Sequence, residues 1–157
     1  MKIRRATLKN LAALIPLNTL FIHEMRKRFP AHFPFKPRAD FVGNVRRLTR
    51  SMIAQKAYVT LIAEEQGQLV AFIHGTLSSK VPCLYPSHKV IVVEDLYVVK
   101  EFRSSGVATR LFSELKKVAK AKGCALIQLF VLPTNPAKKI YEKWGFRTQT
   151  EKMMLKL

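Results

Sequence analysis

The stretch Glu101-Phe102-Arg103-Ser104-Ser105-Gly106-Val107-Ala108-Thr109 decides how the chain is read. It follows a long apolar run, Val90 to Val99, broken only by Glu94-Asp95, and it opens a segment of helical period, Val107 to Lys122. The apolar run predicts a central, buried strand. In the segment after the turn, Leu111, Leu115, Val118 and Ala119 share one helical face. Lys116, Lys117, Lys120 and Lys122 take the other face and the last turn, where they complement the helix dipole, and Gly123 is a C-terminal stop. A strand-to-helix turn built of Gly and small residues exposes several backbone N–H groups at a positive helix end. In physical terms that is a phosphate site, and bulky side chains would hold a phosphate away from it. Arg103 either adds a charge-assisted contact there or braces the loop. The Gly-Lys-Ser/Thr end of a P-loop is missing, and a single Gly does not make a dinucleotide fingerprint.

Working outward, Ala125 to Leu132 reads as a second buried strand. Thr134-Asn135-Pro136 then starts a helix with a cap and an early Pro, ending near Trp144-Gly145. Phe146 to Leu157 suits a strand or hairpin. Upstream, Ala57 to Glu64 and Leu69 to Leu77 read as paired strands around the turn Glu65-Gln66-Gly67-Gln68. Ser78 to Lys89 reads as a loop. Met1 to Ala6 suits a short opening strand, with Thr7 as the cap of a helix carrying Leu8, Leu11, Leu14, Ile15 and Leu20. Pro16 is expected to kink or split that helix. Pro30, Pro34 and Pro37 make Arg28 to Arg38 a loop lined by Phe29, His32, Phe33 and Phe35, and a second helix is expected from about Ala39 to about Gln55. The order is strand, helices, three strands, helix, strand, helix, strand, which is a mixed α/β sheet packed between helices.

The chain has 157 residues, 48% of them hydrophobic. That predicts one domain, residues 1–157, with a real core. No apolar run approaches the ~20 residues that cross a bilayer, so no membrane partner is expected. Cys83 and Cys124 stand apart without His companions, so no metal site is expected and a reducing cytoplasm fits. Twenty-eight Lys and Arg against ten Asp and Glu give a net charge of +18. Such a balance favours an anionic partner, nucleic acid or an acidic molecule, although a charge run is most simply a solvated face. Monomer and homodimer both stay open.

Glu94-Asp95-Leu96-Tyr97-Val98, then Arg103-Ser104-Ser105-Gly106-Val107-Ala108, then Leu129-Phe130-Val131, then Ala137, Tyr141, Gly145 and Phe146 together resemble the GNAT superfamily of acyl-CoA-dependent N-acetyltransferases. The resemblance is strong from about residue 90 to the end; before that it lies in the order of elements. It implies a mixed, mostly antiparallel sheet with a splayed pair of central strands, flanked by helices. It implies acetyl-CoA as co-substrate and an amine acceptor. On this resemblance Leu96, Tyr97 and Val98 offer backbone groups to the acyl and pantetheine portion, with the Val98 N–H as oxyanion donor. The amides of Arg103, Ser104, Ser105, Gly106, Val107 and Ala108, with Thr109, cradle the pyrophosphate. Tyr141 is the general acid for the departing thiolate. Ser104 stands where the family commonly has Gly. Because Ser does not visit positive φ freely, a conventional backbone is expected there. Thr134 falls where an Asn is usual, so Thr134 or the neighbouring Asn135 makes that polar contact.

Acetyl transfer to an amine needs a neutral amine, donors for the developing oxyanion and a proton for the thiolate. Glu94 is the candidate base, since a carboxylate in an apolar strand is costly unless it is paired or has a raised pKa. The plainer reading is an ion pair with an Arg. Strand alternation puts Asp95 on the opposite face unless a bulge intervenes. For Tyr141 the plainer reading is a helix residue packed on the sheet. Tyr85, His88, Phe29, Phe33 and Phe35 edge the acceptor pocket, or else form a small core under a long loop. A small primary amine is the expected acceptor. The alternatives are a protein amine, or a nucleic-acid-binding or acyl-CoA-sensing module that kept the fold.

Overall fold

The computed structural model describes residues 1–30, 36–80 and 88–150. Among the described residues five strands form one sheet in chain order: β1 (Lys2–Arg5), β2 (Tyr58–Glu65), β3 (Gln68–Lys80), β4 (His88–Val98) and β5 (Cys124–Leu129). Neighbours are antiparallel except β4 and β5, which are parallel. A parallel pair needs a crossover, and α3 (Val107–Ala121) supplies it. Helices α1 (Leu11–Arg28) and α2 (Phe41–Ala54) lie between β1 and β2 in the chain, and α4 (Ala137–Lys143) follows β5. No described helix is long and apolar enough to cross a membrane.

Two cores hold the layers together. On one face Val107, Leu111, Phe112, Leu115 and Ala119 of α3 pack on Val59, Leu61, Ile73, Ile91 and Val93. Leu111 and Leu115 are wholly buried, and each contributes about 1.5–3 kcal/mol by leaving water. On the other face Leu14, Leu17 and Phe21 of α1 and Ile53 of α2 cover Ile62, Phe72 and Tyr97. Asn18 donates to Thr49 Oγ1 at 3.0 Å, and Thr49 donates to the Val45 carbonyl at 2.8 Å, which fixes α1 against α2 by a satisfied buried polar link.

Several local expectations shift. The β2–β3 turn is a two-residue loop with Gln66 at φ 49° and Gly67 at φ 80°, the twist a tight hairpin needs. Strand β3 runs on to Lys80, where a loop was expected from Ser78. Strand β5 begins at Cys124 and stops at Leu129, short of Leu132. Pro16 does not split α1, which is continuous around it; one lost ladder bond is outweighed by the burial of Leu14, Leu17 and Phe21. Thr7 precedes a short 3-10 turn, Leu8–Asn10, and α1 begins only at Leu11. Leu8 and Leu20 are about half exposed, so the apolar stripe is narrower than the sequence pattern. Residues 146–150 form no strand, and 151–157 lie outside the described residues.

Candidate active site

The parallel pair comes apart early. Its last register partners are Val93 and Leu129, while β4 continues to Val98 against β3. Past Val93, β4 therefore has no strand on its β5 side among the described residues. Which backbone groups face that gap follows from the ladder. Val99 N–H donates to the Val70 carbonyl at 2.9 Å. Strand alternation then turns Tyr97 toward β3, and Leu96 and Val98 toward the gap. The Val98 carbonyl takes Arg103 Nε–H at 2.9 Å, which agrees with that direction. Leu96 and Val98 thus turn their backbone groups to the gap, the Val98 carbonyl being already taken by Arg103. Tyr97 does not; its backbone belongs to the β3 ladder, and its side chain is buried against α1.

The loop between β4 and α3 is held from inside. Ser105 Oγ–H donates to the Phe102 carbonyl at 2.6 Å, and Arg103 N–H to the Lys100 carbonyl at 3.2 Å. Ser104 has φ 63° and Gly106 φ 82°. The expectation of a conventional peptide at Ser104 is thus overturned: the loop turns left-handed there, and Ser bears the strain that Gly would avoid. The first bond of the α3 ladder runs from Arg110 N–H to the Gly106 carbonyl, so the N–H groups of Val107, Ala108 and Thr109 lie ahead of it. A Cβ built on Gly106 meets nothing within 4 Å. An open cradle of amides at a helix start fits a pyrophosphate. The Val107 side chain itself is buried in the core, so only its backbone is available.

Arg103 is a brace. Its Nη2 donates to Glu24 Oε2 at 2.7 Å, its Nε to Val98, and its guanidinium carbon sits 5.6 Å from the Tyr97 ring centre. Tyr97 Oη–H donates to the other Glu24 oxygen at 2.8 Å. Burial and the Glu24 charge push the Tyr97 phenol up to about 12. Burial raises the Glu24 carboxyl, but the bonds from Arg103 and Tyr97 outweigh it and the net shift is down. Glu24 was not singled out from sequence.

The two carboxylates of β4 exchange their expected environments. The register slips between His74 and Gly75, so that His74 faces Asp95, Gly75 faces Val93, and Glu94 is the extra residue of a bulge. Glu94 is exposed, not buried as the apolar run suggests. Asp95 is the one drawn in: burial, with help from the Glu94 charge, pushes its pKa up to about 6. It lies on the α1 and α2 side of the sheet, across from His74. The imidazole of His74 is fully buried and lowered to about 4 by desolvation.

Tyr141 of α4 lies close enough to feel the Asp95 charge. Burial, then the Asp95 charge, raises its phenol. Its ring contacts Trp144 and Phe146, with centres 5.6 and 6.1 Å away. Trp144 stacks on Phe112 of α3 at 4.4 Å, nearly parallel. An aromatic chain rooted in the core thus aims α4. Asn135 Oδ1 accepts from Ala137 N–H at 3.0 Å and starts that helix, leaving its amide nitrogen for other contacts. Thr134, just ahead of it, is exposed. His32, Phe33, Phe35 and Tyr85 lie outside the described residues; Phe29 is buried at the end of α1, and His88 opens β4.

Comparison with known proteins agrees with this geometry. Residues 20–146 match the acetyltransferase (GNAT) family. The uncharacterized N-acetyltransferase YhfO of Bacillus subtilis (strain 168) is 27% identical over 153 residues, 96% of this chain and 92% of that one. A thialysine N-epsilon-acetyltransferase of Mus musculus is 30% identical over 95 residues, 56% of this chain and 51% of that one. The crystallised aminoglycoside N-acetyltransferase AAC(6')-Iy in complex with CoA shares the fold, with a TM-score of 0.78 over 99% of this chain and 93% of that chain at 18% identity. A split β4–β5 pair, an amide cradle at its mouth and a match across most of the length lead to one conclusion: the chain belongs to the acetyltransferase (GNAT) family and is an N-acetyltransferase with acetyl-CoA as its donor.

Proposed function

We propose that the chain, as a single catalytic domain, acetylates the primary amine of a small molecule by direct transfer. The observation that carries this reading is the β4–β5 pair, which parts after Val93 and Leu129 just ahead of Asp95, a carboxyl that burial pushes up to about 6 and whose charge reaches the Tyr141 phenol. Acetyl-CoA supplies the acetyl group as a thioester. The amides from Ser104 to Thr109 receive its pyrophosphate, with Arg103 holding the loop closed. The exposed Glu94 carboxylate draws in the acceptor ammonium, and Asp95 takes its proton, directly or through water. This reading takes Asp95, in place of Glu94, as the base, because a base poised near neutral pH needs a raised pKa and burial gives Asp95 one. The Val98 N–H donates to the carbonyl oxygen that gains charge. Tyr141 gives its phenolic proton to the departing sulfur. Thr134 and Asn135 supply polar contacts at the start of α4.

The acceptor must satisfy two fields. Locally, Glu94 and Asp95 favour a cationic amine; globally, +18 favours an anion. An amino acid with a side-chain amine carries both groups. Thialysine, in the name of the mouse relative, is of that kind.

The test begins with calorimetric titration of acetyl-CoA into the wild type and Gly106→Glu, with circular dichroism to check the fold of each. Saturable binding lost in the variant supports the cradle. An amine panel follows, with amino acids, polyamines and peptide N-termini. Turnover of peptides alone would replace the small-molecule acceptor by a protein one, and binding without any turnover would favour a sensor. No binding of acetyl-CoA would overturn the donor site, and salt-dependent RNA or DNA binding would then be measured.

A further inference from the structure

Glu24 stands in α1, 79 positions from Arg103 in the chain, yet the two are joined at 2.7 Å. The contact is part of a closed circuit. Glu24 Oε1 accepts from Tyr97 Oη–H, Glu24 Oε2 accepts from Arg103, Arg103 donates to the Val98 carbonyl, and Val98 adjoins Tyr97 in β4. The guanidinium also lies over the Tyr97 ring. Each carboxylate oxygen thus has one donor, and Arg103 has two acceptors and an aromatic face. The residue after Arg103 is Ser104, held at φ 63°. A strained conformation persists only where its surroundings over-determine it, and this circuit is anchored in α1, a helix packed on the sheet.

We propose that Glu24 is a positioning residue that fixes the amide cradle: it holds Arg103 across the loop mouth so that the Ser104–Thr109 amides keep their binding geometry. This rests on the donor site proposed above for acetyl-CoA. Arg103 acts on the ligand through the loop. The guanidinium that would otherwise reach for a phosphate is committed to a carboxylate and a carbonyl.

The experiment separates the two readings. Backbone order parameters of the Ser104–Ala108 amides are measured by ¹⁵N relaxation in ligand-free wild type and Glu24→Ala, with the Leu111–Leu115 amides of α3 as internal reference. Loosening of the loop predicts a fall from the rigid range, about 0.85, toward about 0.6 at Ser104–Ala108 and no change at the reference. Equal order parameters at the loop would overturn the proposal, whatever the protein binds. Acetyl-CoA titration of wild type, Glu24→Ala, Arg103→Ala and the double variant supplies the second arm. About 5-fold weaker binding in each single variant, with no further loss in the double, is the expected coupling. Additive losses, or tighter binding in Glu24→Ala, would overturn it, since the second shows Arg103 freed to act as a phosphate ligand. Lower loop order parameters in Glu24→Ala, in a protein whose wild type does not bind acetyl-CoA, would uphold Glu24 as the holder of the loop and overturn the donor site.

Discussion

His74 and Asp95 are direct cross-strand partners on β3 and β4, and burial moves them in opposite directions, His74 down to about 4 and Asp95 up to about 6. The neutral imidazole is fixed in one tautomer. Thr60 Oγ–H donates its single proton to the Met52 carbonyl at 2.8 Å, so the same oxygen must accept from His74 Nδ1–H, also at 2.8 Å. The sheet therefore carries, side by side, a base that resists protonation and an acid that resists ionisation.

Stability against pH follows. For His74 the unfolded chain binds the extra proton between about 4 and 6.5, so its share of stability rises with pH across that window. For Asp95 the folded chain binds the extra proton between about 3.8 and 6, so its share falls. Each shift of about two units corresponds to roughly 3 kcal/mol at most. The two slopes oppose, and urea unfolding of the wild type should give a nearly flat profile from pH 4.5 to 6.5. Asp95→Asn removes the falling term. Its stability should climb by about 2 kcal/mol over the same range and exceed that of the wild type at pH 7.5. A variant profile as flat as the wild type's would disprove the opposition.

Ser104 gives a second test. A non-Gly residue at φ 63° carries roughly 1–2 kcal/mol of strain. Glycine removes it but adds about 0.4–1 kcal/mol of unfolded-state entropy. Ser104→Gly should raise stability by about 0.5–1 kcal/mol in urea unfolding and leave acetyl-CoA affinity within about twofold, because the amide keeps its direction. Ser104→Val should lower both, since a β-branched side chain tolerates that φ poorly. Equal stability of the Gly and Val variants would show that the backbone strain is not felt.

The strand, loop and helix from Val90 to Ala121 were legible because their signals are local: a run of β-branched residues, one Gly, and a helical stripe at Leu111 and Leu115. What failed to read depends on partners elsewhere. The roles of Glu94 and Asp95 turn on a bulge that forms against the His74–Gly75 step of β3. A Cβ on Gly75 would stand 2.9 Å from Ile91 Cγ1, so this crossing admits no side chain. Alternation along β4 alone carries no trace of it. The positive φ at Ser104 belongs to loop closure, and Glu24 lies in a helix whose link to Arg103 only the folded sheet creates. Arg103 itself was read as a ligand contact or a brace, and its bonds to Glu24 and the Val98 carbonyl are those of a brace.

Trp144 tests how α4 is aimed. It stacks on Phe112, which is buried against the sheet, and contacts Tyr141. Trp144→Ala should cost about 2–3 kcal/mol of stability. It should also lower kcat at least tenfold with little change in acetyl-CoA affinity, because a misplaced Tyr141 hydroxyl affects the proton transfer alone. Trp144→Phe should restore most of both. Stopped-flow turnover alongside urea unfolding measures the two effects separately, and a stability loss without a kcat loss would remove Trp144 from the positioning of Tyr141.

The two β4 carboxylates differ in role. If Asp95 takes the amine's proton, kcat/KM should rise with unit slope on the acid side and level off near pH 6, where Asp95 ionises. Asp95→Asn should cost 10²–10⁴-fold in kcat, the usual range for a positioned base. The acid limb should disappear with it. Glu94→Gln should behave differently. The Glu94 charge is one of the two causes that hold the Asp95 pKa up, so its removal should move the acid limb to lower pH while KM for the amine rises. Tyr141→Phe should lower kcat by about 10²-fold and leave the acid limb in place, since its phenol is raised and titrates far above it. The opposite assignment, with Glu94 as base, makes the reverse demand. The acid limb would vanish in Glu94→Gln and survive in Asp95→Asn, so one set of pH–rate profiles on three variants decides between the two carboxylates.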